Sequence, residues 1–185
     1  MIKALKNRSI AIAITIVVAL LSTFLGVRGS LNHLTRDVEQ TFYDGIYLES
    51  EGYTQPSIGS QIDKMSSSAL SLATLLYSSG YESESEAVLE ARRELYDTNN
   101  IRDIGNALAD MEHAVSNLME AAGNAPPDSR EAQAMADHWK TFESAAALID
   151  STLAPAYNSK VDDFYGDLSF IASLFSRSAP DYFRR

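Results

Sequence analysis

The sequence predicts an all-α protein, with an N-terminal transmembrane helix followed by an antiparallel bundle of three to four long helices. Residues 9–27 hold no charged side chain. Beyond them, apolar residues recur at three- and four-residue steps, the spacing of one helix face. No stretch shows the two-residue alternation of a half-buried strand.

The first element reads S-I-A-I-A-I-T-I-V-V-A-L-L-S-T-F-L-G-V. At about 1.5 Å per residue it spans roughly 28 Å, the hydrocarbon thickness of a bilayer. A helix apolar on every face has no use on the surface of a small soluble bundle. Lys3, Lys6 and Arg8 precede it, as they would in a cleaved signal peptide, but the apolar core is too long for one. The best cleavage site, Val27-Arg28-Gly29, carries an arginine. The expected layout is therefore a basic cytoplasmic N-terminus at residues 1–8, an uncleaved signal-anchor at 9–27 and an acidic bundle domain at 30–185. Three basic residues lie close before the span, against Arg28 and Arg36 after it, so the N-terminus is expected in the cytoplasm and the acidic bundle outside the membrane.

The domain beyond residue 27 holds 12 Lys and Arg against 25 Asp and Glu, a formal charge of −13. Such a surface repels phosphate backbones, so nucleic acid is not an expected partner. The chain has no cysteine, which excludes disulfide frameworks, zinc ribbons and thiol catalysis.

In chain order, Leu31, Leu34, Val38, Phe42 and Ile46 form one stripe, and the anchor is expected to run straight into this helix. Residues 51–57 interrupt it with Gly52 and Pro56. A second helix over 58–79 presents Ile62, Met65, Ala69, Leu72, Ala73 and Leu76, and weakens at Ser78-Ser79-Gly80. Ser83 with Glu86 reads as a capping box opening a third helix through Val88, Ala91 and Leu95. Residues 97–100 break the run before the stripe of Ile101, Ile104, Leu108, Met111, Val115 and Leu118. Residues 123–128, with two prolines, form the strongest loop, and Ser129 is a candidate N-cap. The last stripe passes through Met135, Trp139, Phe142, Ile149 and Leu153, meets an expected kink at Pro155, and resumes with Tyr157, Val161, Phe164, Leu168, Ile171 and Phe175. Tyr182 and Phe183, beyond Pro180, are expected to tuck back onto the bundle.

Candidate sites are sparse. A carboxylate-bridged metal pair in a bundle needs Glu-x-x-His on two helices, and only Asp110-x-x-His113 approaches it, once. His138 stands between Asp137 and Trp139, but adjacent helical residues point about 100° apart and make no dyad by proximity. His33 has no partner evident in the sequence. Glu86, Glu90 and Glu94 share a face that reads as a solvated helix surface, since a calcium loop needs a turn glycine absent here. No nucleophile elbow, phosphate-cradling loop or zinc-protease motif occurs. No metal, cofactor or catalytic residue is expected.

The layout and several motifs resemble the LemA-like bacterial membrane proteins. Asn32 and Leu34, just past the anchor, resemble the family's Asn-x-Leu segment, and Ala91-Arg92 falls where an Ala-Arg pair closes its second helix. Tyr157-Asn158-x-x-Val161-x-x-Phe164 is similar to the family's Tyr-Asn-x-x-Val-x-x-Tyr/Phe, and Tyr182-Phe183 to its C-terminal end. Residues 68–75 lack the proline and arginine of the corresponding family stretch, and Tyr165 replaces an asparagine. The resemblance implies a divergent member with one membrane helix and a helical bundle.

Together these readings point to a non-enzymatic, membrane-anchored bundle that meets the lipid bilayer through residues 9–27 and binds another protein or scaffolds an envelope assembly. The alternatives are a small-molecule sensor with a ligand between helices near Trp139, Phe142 or Tyr157, and an enzyme of unrecognised type.

Overall fold

The computed structural model describes residues 8–48, 52–123, 129–174 and 179–184. Lys3 and Lys6, the loop beyond Gly123, the side chains of Ser129 and Ile171, and Phe175 lie outside what is described. Helix α1 (Arg8–Asp44) runs unbroken from the apolar stretch into the acidic domain, as the periodicity predicts. Its apolar half stands clear of the rest of the chain: only 6 % of its most apolar window is buried. A core helix of a soluble bundle is mostly buried instead. One N-terminal helix is thus long and apolar enough to cross a membrane.

The helix stops at Gly45, whose φ of 99° lies in the left-handed region. A side chain there would collide with the Gln55 carbonyl oxygen. Here the structure corrects the sequence reading, which ran the helix through Ile46 and expected no strand. Residues Ile46–Leu48 (β1) pair antiparallel with Tyr53–Gln55 (β2), with Ile46 opposite Gln55. Strands of three residues are too short for alternation to register. Ile46 reaches the core from a strand rather than from the last turn of the helical stripe.

Helix α2 (Ile58–Tyr77) opens at Ser57, whose hydroxyl accepts the Ser60 N–H at 3.0 Å. It closes in a Schellman arrangement: Gly80 has φ 97°, the Tyr81 N–H reaches the Leu76 carbonyl and the Gly80 N–H reaches Tyr77. That closure hands the chain directly to α3 (Glu82–Asp97), which begins with Tyr81 at the N-cap position and no side-chain cap. The capping box read at Ser83 and Glu86 is therefore not formed. Ser83 already lies inside the first turn, because the tight turn and the half-buried Tyr81 set the start. Asn100 caps α4 (Ile101–Ala122) by accepting the Arg102 N–H at 2.9 Å.

Helix α5 (Ser129–Leu148) passes through one turn of π-helix (Ile149–Leu153) into α6 (Ala154–Leu174). Pro155 has no N–H for the carbonyl four residues back, and its ring crowds that carbonyl. The irregularity expected at the proline falls in this preceding wide turn.

Helix α2 packs against α3 and α5, and α3 against α4. Their predicted stripes meet in one core in which Met65, Leu72, Leu108, Met111, Leu118 and Ile149 are fully buried. Below this four-helix bundle, α6 returns antiparallel along the polar half of α1: Phe164 packs with Leu31, and Tyr157 meets Phe42 at 5.9 Å between ring centroids. The observed architecture is all-α, a four-helix bundle on a two-helix stalk.

Candidate functional site

Four of the residues singled out by the family resemblance converge where the C-terminal segment, residues 179–184, folds back along the stalk. The Asn158 carboxamide grips the backbone of Phe183 with two hydrogen bonds, donating from Nδ2 to the carbonyl at 2.8 Å and accepting the N–H at Oδ1 at 3.0 Å. Phe183 is 1 % exposed and packs on Phe42 with ring centroids 5.5 Å apart. The Tyr157 hydroxyl donates to the Asp181 carbonyl at 3.0 Å. Tyr182 lies parallel to Tyr165 at 5.8 Å and donates its hydroxyl to Asp162 at 2.7 Å. The expected tucking back of this tail is what the structure shows.

The tail also reaches the bundle. Arg102 on α4 pairs with the Asp181 carboxylate at 3.0 Å. Gly105, one turn further along α4, lies under the backbone of Arg184, and a Cβ there would overlap the Arg184 carbonyl oxygen. A glycine inside a helix costs about 1 kcal/mol relative to alanine, and here it makes room for the tail.

Burial is the main cause of two shifted titrations at this clasp. The Tyr157 phenol is pushed above its ordinary range by burial first, then by Glu39 and Asp181. Glu39 lies on the polar half of α1, beyond the apolar span; burial and then Asp181 raise its carboxyl above the ordinary 4.5. The folded chain thus holds the Glu39 proton more tightly than the unfolded chain. Its contribution to stability is full below about 4.5 and is lost as pH rises through the raised folded value. Glu39→Gln should therefore raise the thermal midpoint at pH 7, and the difference from the parent should vanish as pH falls below 4.5. Melting both proteins across that range checks the sign; a lower midpoint for the glutamine variant at pH 7 contradicts it.

The other singled-out residues serve elsewhere. Val161 is buried beneath the clasp, and Phe164 packs with Leu31 lower on the stalk. Arg92 donates from Nε to the buried Ser66 hydroxyl at 2.8 Å and lies 5.0 Å over the Tyr96 ring, tying α3 to α2. Asn32 is exposed on α1. Leu34, 40 % exposed, lines an open groove of about 440 Å³ between α1 and α6 together with Val38, Phe164 and Leu168. A second groove, of about 380 Å³, lies where α1, α2 and α3 meet, with Tyr43, Asp63, Tyr96 and Asn99 on its walls.

The histidines form no cluster with a third ligand, and among the described residues no group of three His, Asp or Glu side chains is placed to hold a metal ion. His33, for which the sequence offered no partner, sits 2.8 Å from Asp37 on an exposed helix face. Trp139 and Phe142 stack at 5.8 Å against the bundle, and neither they nor Tyr157 border either groove. The roles of Glu39, Asp181, Arg102 and Gly105 had no signal in the sequence, since each depends on where the tail lands.

Fold and surface together define an all-α bundle carried on a helix pair, the first helix continuing into an uncovered apolar half. No family model, curated protein or solved structure matches the chain.

Proposed function

We propose that the protein is a non-enzymatic, membrane-tethered helical bundle of the LemA-like type, which binds another protein or scaffolds an assembly in a bacterial envelope. The observation that carries this reading is the bare apolar half of α1: nine large side chains from Ile12 to Leu25 are exposed, among them Leu20 and Leu25 at 65 %. Monomeric soluble proteins rarely leave so large a contiguous apolar surface in water. Lys3, Lys6 and Arg8 before the span support a cytoplasmic N-terminus with the acidic bundle on the far side. The Tyr157-Asn158 and Tyr182-Phe183 motifs, which carry the family resemblance, act on one another in the clasp, and this supports reading them as parts of one architecture.

The test has two parts. The chain has no cysteine, so Asn106→Cys on the exposed face of α4 provides one thiol. A membrane-impermeant maleimide should label it on intact cells; labelling only after lysis would put the bundle in the cytoplasm. Crosslinking in intact cells should recover one reproducible protein partner, and recovery of none would sink the interaction reading.

A further inference from the structure

The stalk has two flanks, and only one of them is covered. Successive residues of α6 advance by about 100°, which puts Asn158, Asp162 and Tyr165 on one side of the Tyr157–Val161–Phe164 stripe and Lys160 with Asp163 on the other. The first flank is sealed by the tail through Asn158, Tyr165 and Asp162. The second flank is the groove of about 440 Å³, whose floor is Leu34, Val38, Phe164 and Leu168. Two amphipathic helices alone do not bury both sides of their seam, and among the described residues nothing closes this one.

We propose that a second copy of this chain closes it, pairing two stalks across a two-fold axis. The groove walls carry both signs of charge, Asp37 and Asp163 with Lys160. A two-fold interface sets each patch against itself, so Lys160 of either copy faces the acidic residues of the other. Elsewhere the domain is dominated by acid, and face-to-face contact would be repulsive.

The proposal rests on residues 9–27 lying in a bilayer. Two copies inserted the same way are parallel, and a two-fold between them runs along the membrane normal. Leu34 is seven residues beyond Val27 on the continuous helix α1, roughly 10 Å above the apolar span. Both grooves then stand at the same height without adjustment. Confinement to one membrane raises the effective concentration, so a contact of this modest size suffices where it would not in dilute solution.

The experiment uses the full-length, cysteine-free chain in native membranes. Leu34→Cys puts a thiol in the groove. Asn32→Cys puts one at nearly the same height on another side of α1 and reports random collisions. With a short bismaleimide, the Leu34→Cys protein should give a dimer band about tenfold stronger than the Asn32→Cys protein, as expected of a tethered, specific contact. Adding Lys160→Glu should weaken that band severalfold. Equal dimer from both thiols, or no dimer from either while the protein stays in the carbonate-washed membrane pellet, overturns the two-fold and leaves the anchor standing. An adduct with the mass of a different protein overturns it in favour of a foreign helix in the groove. Absence of the protein from the pellet overturns both the two-fold and the anchor.

Discussion

Arginine at both Val18 and Leu21 should strip the protein from membranes. Val18 is the centre of the apolar stretch at residues 9–27, and Leu21 lies one turn further on the same side. On the insertion scale an arginine at a helix centre costs about 2.5–3.5 kcal/mol, whereas valine or leucine contributes about −0.3 to −0.6. The pair shifts the balance by roughly 6–8 kcal/mol, more than long side chains can recover by snorkelling from mid-span. Both parent residues are exposed, so no packing within the chain is lost. Fractionation with a carbonate wash should find the parent in the pellet and the double variant outside it. The exchange Val18→Leu with Leu21→Val serves as control and should stay in the pellet. If the arginine variant pellets as the parent does, residues 9–27 are not a span.

Phe183→Ala should release the C-terminal segment. Removing a buried phenylalanine ring costs about 3–5 kcal/mol when the site cannot collapse. A terminal segment has another course: it can leave, so the loss is limited to what docking of residues 179–184 contributes. That contribution includes the Asn158 pair, the Tyr157 hydrogen bond and the ring contact with Phe42. A loss of about 2–4 kcal/mol is expected, and for a chain of this size each kcal/mol moves the midpoint by about 2–4 °C. The variant should melt earlier, and protease should cut its last residues far faster than those of the parent. Asn158→Leu should act in the same direction, leaving the Phe183 N–H and carbonyl without partners at about 1–3 kcal/mol. Parent-like melting together with parent-like protection of the tail would show that the clasp contributes nothing.

Much of the fold was legible because helical periodicity records burial directly. Ile101, Ile104, Leu108, Met111, Val115 and Leu118 are all buried on α4, and the α2 stripe from Ile62 to Leu76 is buried in full. Where local geometry outweighed the pattern, the reading slipped. Ile46 continues the α1 stripe in spacing, yet Gly45 turns the chain before it. Ser83 and Glu86 have the spacing of a capping box, yet the turn closed by the Gly80 and Tyr81 hydrogen bonds puts Tyr81 at the N-cap, two residues earlier. Of the candidate site, Tyr157, Asn158, Tyr182 and Phe183 stood out as motif residues, but their meeting did not. About a turn of helix separates each residue from its neighbour on a stripe, whereas Asn158 and Phe183 are 25 positions apart.

The amino-acid sequence by itself determined the apolar first helix, the all-α class, the acidic balance and the faces that make the core, because each follows from the order of side chains over one or two turns. Only the tertiary structure decided that the helices divide into a bundle and a stalk, and that the tail covers one flank of that stalk. Glu39 lies beside Asp181, and Gly105 makes room for Arg184, for the same reason. These depend on segments far apart in the chain arriving at one place, and neither composition nor periodicity carries that distance.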